Sequence, residues 1–372
     1  MGKERIAALA DKIADRLINL GGADYGKEKD ISKEDIGNCL IARDMGIEEW
    51  DWPQGVGLYG LVKLQDYYGD RRYVSFLDNW FKRNIALGLP SKNVNTTMPF
   101  LALLETAELT GNKEYEAMCL DRAEWVMNSM TRTQGGAIQH VTSAVGDRNG
   151  VNLNPGNVWA DTLFMTVLFL NKAGQRFKRQ DYVDEAVYQF LMHIRYLSEK
   201  TNGLFHHGWT FEEMSNFGGV YWCRGNSWFS YGAVDFLSSF TSIPASGPDR
   251  RFITQVWKDQ MYALVPLQAE DGLWHTVLDD EESYTESSGS AAIAAGMIKG
   301  LKDGLLPDSF RKVADKAIDG LLREVQEDGT VGSVSAGTPV AYSKEAYKAV
   351  PIAPMAYGQA LALIALTEAL GL

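Results

Sequence analysis

The chain has 372 residues, 45% of them hydrophobic and 23% charged, with a formal net charge of −12. That balance excludes a nucleic-acid binder, which grips phosphates with clustered Lys and Arg, but leaves an anionic small substrate open because local charge can oppose the global sign. No apolar run is long enough to span a bilayer, and Cys39, Cys119 and Cys223 have neither metal nor redox spacing, so a reduced, cytoplasmic protein with no membrane partner is expected.

The N-terminus leads, without an apolar signal core, into residues 4–20, where Ile6, Leu9, Ala10, Ile13, Leu17 and Leu20 recur at helical spacing. Then come six clusters of aromatic, amide, Arg or acidic residues, each just before a helix rich in Ala, Leu and Gly. They are Trp52-Pro-Gln54-Gly55, Asn95-Thr-Thr97, Trp159-Ala-Asp161, Trp222-Cys-Arg224-Gly-Asn226-Ser-Trp228, Glu286-Ser-Ser288-Gly289 and Tyr357-Gly358-Gln359. The helices that follow, such as 161–172 and 288–301, are apolar nearly all round. The next helices, such as 181–198 and 309–325, carry charge on one face, which separates an inner ring from an outer one.

Short turns join each pair: Gly69-Asp70-Arg-Arg-Tyr73, Gly111-Asn112-Lys-Glu-Tyr115, Lys178-Arg-Gln-Asp181-Tyr182, Pro248-Asp249-Arg-Arg-Phe252 and Pro307-Asp308-Ser-Phe310. Their Asp and Asn residues read as N-caps, and each following aromatic as packing into the neighbouring hairpin. The last inner helix, 356–370, lacks a following partner, which the N-terminal helix can supply. The expected fold is all-α, an (α/α)6 barrel of six helical hairpins forming one domain over 1–372. Strand-like pieces such as Gly203-Leu-Phe-His-His207 and Gly272-Leu-Trp-His275 lie in the loops 132–158, 201–225, 267–287 and 326–355, all at the cluster end. A curved open array of helices is the alternative.

If the inner helices run parallel, all six clusters meet at one mouth. Trp52, Trp159, Trp209, Trp222, Trp228 and Trp274 would stack on sugar faces there, or simply fill core. Gln54, Asn95, Gln359 and the histidines would bond hydroxyls. Asp161 is the acid to single out, although it also reads as an N-cap. A helix N-terminus lowers its pKa, whereas desolvation among indoles raises it. Glu286 is a candidate second carboxylate or, equally, a helix-start residue, so a two-carboxylate glycosidase is weakly supported. Arg224 would pair with a substrate carboxylate or with a loop acid. His140, His206, His207 and His275 all fall in mouth-side loops, but lack metal-ligand spacing. No phosphate loop, serine-hydrolase elbow or dinucleotide fingerprint is present, and no metal or other cofactor is expected.

Taken together, Trp159-Ala-Asp161-x-Leu-x-Met165, Trp222-x-Arg224-x-x-x-Trp228, Gly203-Leu-Phe-x-His207-x-Trp209, and Gly272-Leu-Trp followed by Glu286-Ser-Ser-Gly-Ser290 make the chain resemble glycoside hydrolase family 105 over nearly its full length. That family comprises the unsaturated rhamnogalacturonyl hydrolases; the unsaturated glucuronyl hydrolases of family 88 are more distantly similar. The resemblance implies the same barrel and an oligosaccharide substrate ending in a uronic acid with a carbon 4–carbon 5 double bond. An acid protonates carbon 4, water adds at carbon 5, and the resulting hemiketal opens to break the sugar bond. It further implies Asp161 as that acid/base, His207, Trp222, Arg224 and Trp228 as the wall holding the uronate, and Trp52 and His140 as outer or subsite contacts. Some members carry Asp where this chain has Asn95, and an amide can hold a hydroxyl or water but not act as a base. A glucuronyl-type substrate, a sugar epimerase using the loop histidines, and a non-catalytic carbohydrate binder are the competing readings.

Overall fold

The structure is a computed structural model describing residues 2–21, 46–144, 147–337 and 340–372. Cys39 lies outside the described residues. The chain starts with α1 (Lys3–Ile18), then α2 (Trp52–Tyr68), α3 (Val74–Ala86), α4 (Pro99–Thr110) and α5 (Lys113–Asn128). A π-helical turn, Leu163–Val167, opens α6 (Leu168–Phe177), which is followed by α7 (Gln180–Leu197), α8 (Cys223–Ser238) and α9 (Gly247–Leu264). Next come α10 (Ser287–Lys302), α11 (Arg311–Glu324), the short α12 (Lys344–Lys348) and α13 (Ala356–Leu370).

The apolar helices α2, α4, α6, α8, α10 and α13 pack side by side in that order, and α13 closes back onto α2, so the array is a ring and not an open curve. The amphipathic helices lie outside. The N-terminal α1 packs on α13 and covers the inner helix that has no following partner. Small residues allow this: Gly60 sits against the backbone of Ala360, and Gly296 against the carbonyl of Ser230.

The turns depart from expectation. Asn112 does cap α5, accepting from the amides of Glu114 and Tyr115 at 2.9 and 3.4 Å. Asp70 instead accepts from Arg72 within its own turn, and α3 begins four residues further on without a side-chain cap. Asp181 and Asp249 lie inside the first turns of α7 and α9, where a carboxylate still meets the positive helix end, and Ser246 is the cap of α9. Asp308 begins a 3-10 turn behind Pro307. Tyr73, Tyr115, Tyr182 and Phe310 are buried as expected, but Phe252 is 49% exposed.

Short strand pairs occupy the loops before the inner helices. β1 (Thr142–Ser143) pairs with β2 (Val151–Asn152), β3 (Asn157–Trp159) with β4 (Gly208–Thr210), and β5 (Trp274–His275) with β6 (Thr285–Glu286), all antiparallel. The strand expected at 203–207 is not formed there; the strand begins at Gly208, just past that segment. Leu204–His207 is held by single bonds, such as Phe205 N–H to the Asn226 side chain. Among the described residues no helix is long and apolar enough to cross a membrane.

Candidate active site

Asp161 is placed by the β3–β4 pair. Trp159 stands opposite Gly208, and the next amide, Ala160 N–H, donates to the carbonyl of His207 at 2.9 Å. This ladder brings two residues 46 positions apart together, with His207 Nε2 3.2 Å from Asp161 Oδ2. The approach is off the line of a hydrogen bond, and both atoms are buried without a hydrogen-bond partner among the described residues. The contact is thus an electrostatic one that leaves both atoms able to bond something else. Asp161 does not cap its helix: no amide among the described residues donates to it. A π-turn follows at once, a distortion often found beside functional groups.

About 16% of the Asp161 side chain is open, so the group is deep but reachable. Burial pushes its pKa up, but His207 foremost, then His140 and Arg224, outweigh that and hold it below the usual carboxylate value. His140 stacks on Trp159 at 4.2 Å, and its Nδ1 lies 2.8 Å from Thr162 Oγ1. Burial lowers its pKa to about 3, so the ring is neutral at ordinary pH.

Aromatic contacts continue around the mouth. His207 packs on Trp222 at 4.4 Å, and the Arg224 guanidinium lies over Trp222 and Tyr357 at 4.3 and 4.7 Å. Tyr357 stacks on Trp52 at 4.6 Å, and Trp52 meets the edge of Trp228 at 6.1 Å. One connected wall thus joins residue 52 to residue 357. The indole nitrogens of Trp222 and Trp228 are also buried without a hydrogen-bond partner among the described residues. Such groups also occur elsewhere among the described residues, but those on Asp161, His207, Trp222 and Trp228 lie along this one wall, which suits a polar ligand. Asn95 lies in a buried 3-10 turn fastened between loop and helix: Val94 N–H donates to Val141 O, and Thr166 Oγ1 donates to Val94 O, both at 3.2 Å. No hydrogen bond among the described residues uses the Asn95 side-chain amide.

Other sequence candidates are occupied elsewhere. Gln54 donates to Gly46 O and Gln359 brackets the backbone of Val331, so neither is set to hold a sugar. Glu286 is the N-cap of α10, accepting from Ser288 and Gly289 amides at 2.9 and 2.6 Å and from Ser335 at 3.1 Å. Arg224 donates to the carbonyls of Ser335 and Ala336 at 2.7 and 2.9 Å and lies 3.8 Å from Glu286, which supplies the loop-acid alternative. Trp274 is core, its indole donating to Leu264 O, and Trp209 lies against Tyr196 and Phe211. His206 stacks on Tyr221 near Glu199, and His275 bonds Ser283 O, so only His140 and His207 of the loop histidines adjoin Asp161. Among the described residues no group of three or more His, Cys, Asp or Glu is placed to hold a metal.

The Glycosyl Hydrolase Family 88 model matches residues 38–372. The chain belongs to that family. It is 34% identical over 322 residues, 86% of this chain and 90% of the relative, to the unsaturated rhamnogalacturonyl hydrolase YesR of Bacillus subtilis. A possible family 105 member from Salmonella enterica serovar Paratyphi A superposes with a TM-score of 0.90 at 36% identity, covering 100% of this chain and 95% of that one. A possible family 105 member from Klebsiella pneumoniae gives 0.89 at 35%, covering 100% and 94%. The unsaturated glucuronyl hydrolase of Bacillus sp. GL1 shares the fold, with a TM-score of 0.67 at 19% identity over 98% of this chain and 96% of its own.

In this family 88 chain two site neighbours escaped sequence reasoning. Thr162 carries no signal beyond following Asp161. Tyr347 sits in α12, far from any cluster, yet its hydroxyl lies 2.7 Å from His207 Nδ1. No local pattern announces a contact spanning 140 residues.

Proposed function

We propose that this chain releases 4,5-unsaturated galacturonic acid from the non-reducing end of oligosaccharides left by rhamnogalacturonan lyases, by hydrating the double bond. The observation carrying this reading is that Asp161 lies 3.2 Å from His207 in the mouth and caps no helix among the described residues, whereas Asp51 and Glu286, also at inner-helix starts, cap α2 and α10. Direct glycoside hydrolysis employs a pair of carboxyl groups, and Glu286, the other candidate, is committed to capping α10. Protonating carbon 4 of an enol ether needs one acid, and the same group can then take a proton from the water that adds at carbon 5. The name of the Bacillus subtilis relative supports the same substrate.

Before substrate binds, Asp161 is ionised at neutral pH, since its pKa is held down. A uronate arriving beside it places two negative charges together, which raises the pKa and makes Asp161 take up a proton as the substrate binds. Trp52, Trp159, Trp222 and Trp228 offer apolar faces and indole N–H groups to the ring. His140, His207 and Asn95 offer polar contacts, while Arg224, tied to the Ser335 and Ala336 carbonyls, adds its positive charge to the wall through the Trp222 and Tyr357 rings. The whole chain, 1–372, acts as one catalytic domain in this reading, since the wall draws on both ends of it. With Cys119 and Cys223 free and buried, a cytoplasmic setting fits.

The test follows loss of the alkene's ultraviolet absorbance with unsaturated galacturonyl–rhamnose and, separately, with a glucuronyl-terminated disaccharide. Galacturonyl turnover is expected to exceed glucuronyl turnover. Asp161→Asn is expected to lower kcat by about 10²–10⁴-fold with KM little changed, the span of a general acid/base. A variant retaining most turnover would reject Asp161 as the acid.

A further inference from the structure

We infer that Tyr347 is a positioning residue that fixes the proton of His207 on Nε2, the ring nitrogen facing Asp161. The inference rests on Asp161 as the acid/base. The Tyr347 hydroxyl has two hydrogen-bond neighbours among the described residues. Ala341 N–H reaches it at 3.2 Å, and His207 Nδ1 at 2.7 Å. The amide can only donate, so the hydroxyl oxygen accepts from it. Among the described residues the hydroxyl proton then has a single acceptor, the lone pair of His207 Nδ1. A neutral imidazole that accepts at Nδ1 carries its own hydrogen on Nε2. That nitrogen is 3.2 Å from Asp161 Oδ2.

Tyr347 is itself well held. It is 1% exposed, lies 5.6 Å from Trp222 and 5.9 Å from the His207 ring, and sits in α12, which Ser343 caps by accepting from Ala346 N–H. Burial, foremost, pushes its phenol pKa up, so it remains a donor throughout the working range. The loop between α11 and α13 therefore sets a hydrogen atom next to the acid without touching the substrate. The tautomer matters because of its sign. An Nε2–H aimed near Oδ2 stabilises the carboxylate, whereas an Nε2 lone pair would repel it and raise the Asp161 pKa. The groups acting on Asp161 are His207, His140, Arg224 and Tyr347, and only the His207 nitrogen changes its polarity between the two cases.

Tyr347→Phe removes the hydroxyl and keeps the ring that packs on Trp222. The ¹⁵N shifts of histidine-labelled protein, with the His207 signals assigned by a His207→Gln variant, report the tautomer independently of turnover. Expected is an Nε2–H ring in the parent and a population of the Nδ1–H form in Tyr347→Phe. The alkaline limb of kcat/KM should move up by about one pH unit, and turnover should fall several-fold. A His207 ring in the same tautomer in both proteins would overturn the inference, whatever the activity, and so would a tautomer change that leaves the pH limb in place. Asp161→Asn is assayed alongside. If that variant stays active while the tautomer responds to Tyr347, the acid assignment fails and the hydrogen-bond arrangement stands.

Discussion

At the scale of single residues, the conflict over Asp161 is decided by its neighbour. Desolvation alone would make a buried carboxyl a ready acid, but His207 at 3.2 Å reverses the direction. A group with a lowered pKa is protonated only below that value, so in the free enzyme its acid form disappears as pH rises through an already acidic region. Bound substrate reverses the shift again by adding a like charge. The pH dependence of kcat/KM reports the free enzyme and that of kcat the complex. The alkaline limb of kcat is therefore expected at higher pH than that of kcat/KM, in full profiles measured with one substrate. Coincident limbs would mean that the uronate carboxylate does not sit next to Asp161.

Between residues and the whole lie the helices, and here the sequence is most legible. The stretch 356–370 is found as read, and 181–198 and 288–301 shift by about one residue, because burial all round or on one face writes itself directly into composition. Asp161 and Trp222 are legible for the same reason, each marking the start of such a helix, and Trp228 lies within the second turn of the helix that Trp222 opens. The caps were not: an Asp before an aromatic serves equally as a cap, a turn residue or a first-turn charge, and the choice depends on where the backbone turns. Gln54 and Gln359 were misread because sequence does not show that nearby backbone claims them. The small residues of the inner ring make a sharper statement. Alanine outranks glycine within a helix by about 1 kcal/mol. At Gly296, however, an added Cβ would fall 2.5 Å from the Ser230 carbonyl oxygen, which cannot move unless α8 and α10 separate. Overpacking costs about 1–3 kcal/mol, so Gly296→Ala is expected to lower stability on balance. Gly60→Ala, with its nearest contact at 3.0 Å, should be milder. Thermal melts of the two variants check both the sign and the order.

Seen whole, the barrel has a polarity that its −12 charge conceals. Every inner helix points its N-terminus at the mouth, so the positive ends of the helix dipoles gather where an anionic sugar would enter. The negative ends gather at the opposite end, around a cavity of about 590 Å³ lined by Lys63, Lys172, Arg176 and Lys299 together with Glu105 and Asp235. Lys63 Nζ and the Tyr59 hydroxyl each bond Asp235 at 2.6 Å, and Lys172 bonds Glu105 at 2.8 Å. These cations answer the helix ends and one another's acids, which makes the base a plug of charge under an apolar ring. Asp235 is 3% exposed. Burial pushes its pKa up, but Lys63 and Lys172 bring it down to about 2. A depressed carboxyl pKa contributes stability above the unfolded value and loses it as pH falls through the folded one, here between about pH 4 and pH 2. Asp235→Asn keeps the shape, removes the charge and strands the Lys63 ammonium. Breaking a buried pair from one side costs about 3–5 kcal/mol, and the 19% exposure of the Lys63 side chain puts the expectation at the low end, about 3 kcal/mol at pH 7. Urea denaturation at several pH values checks this. The parent's advantage over Asp235→Asn should be full at neutral pH and shrink steadily below about pH 4, and a difference unchanged by acid would show that the ion pair does not hold the base of the ring.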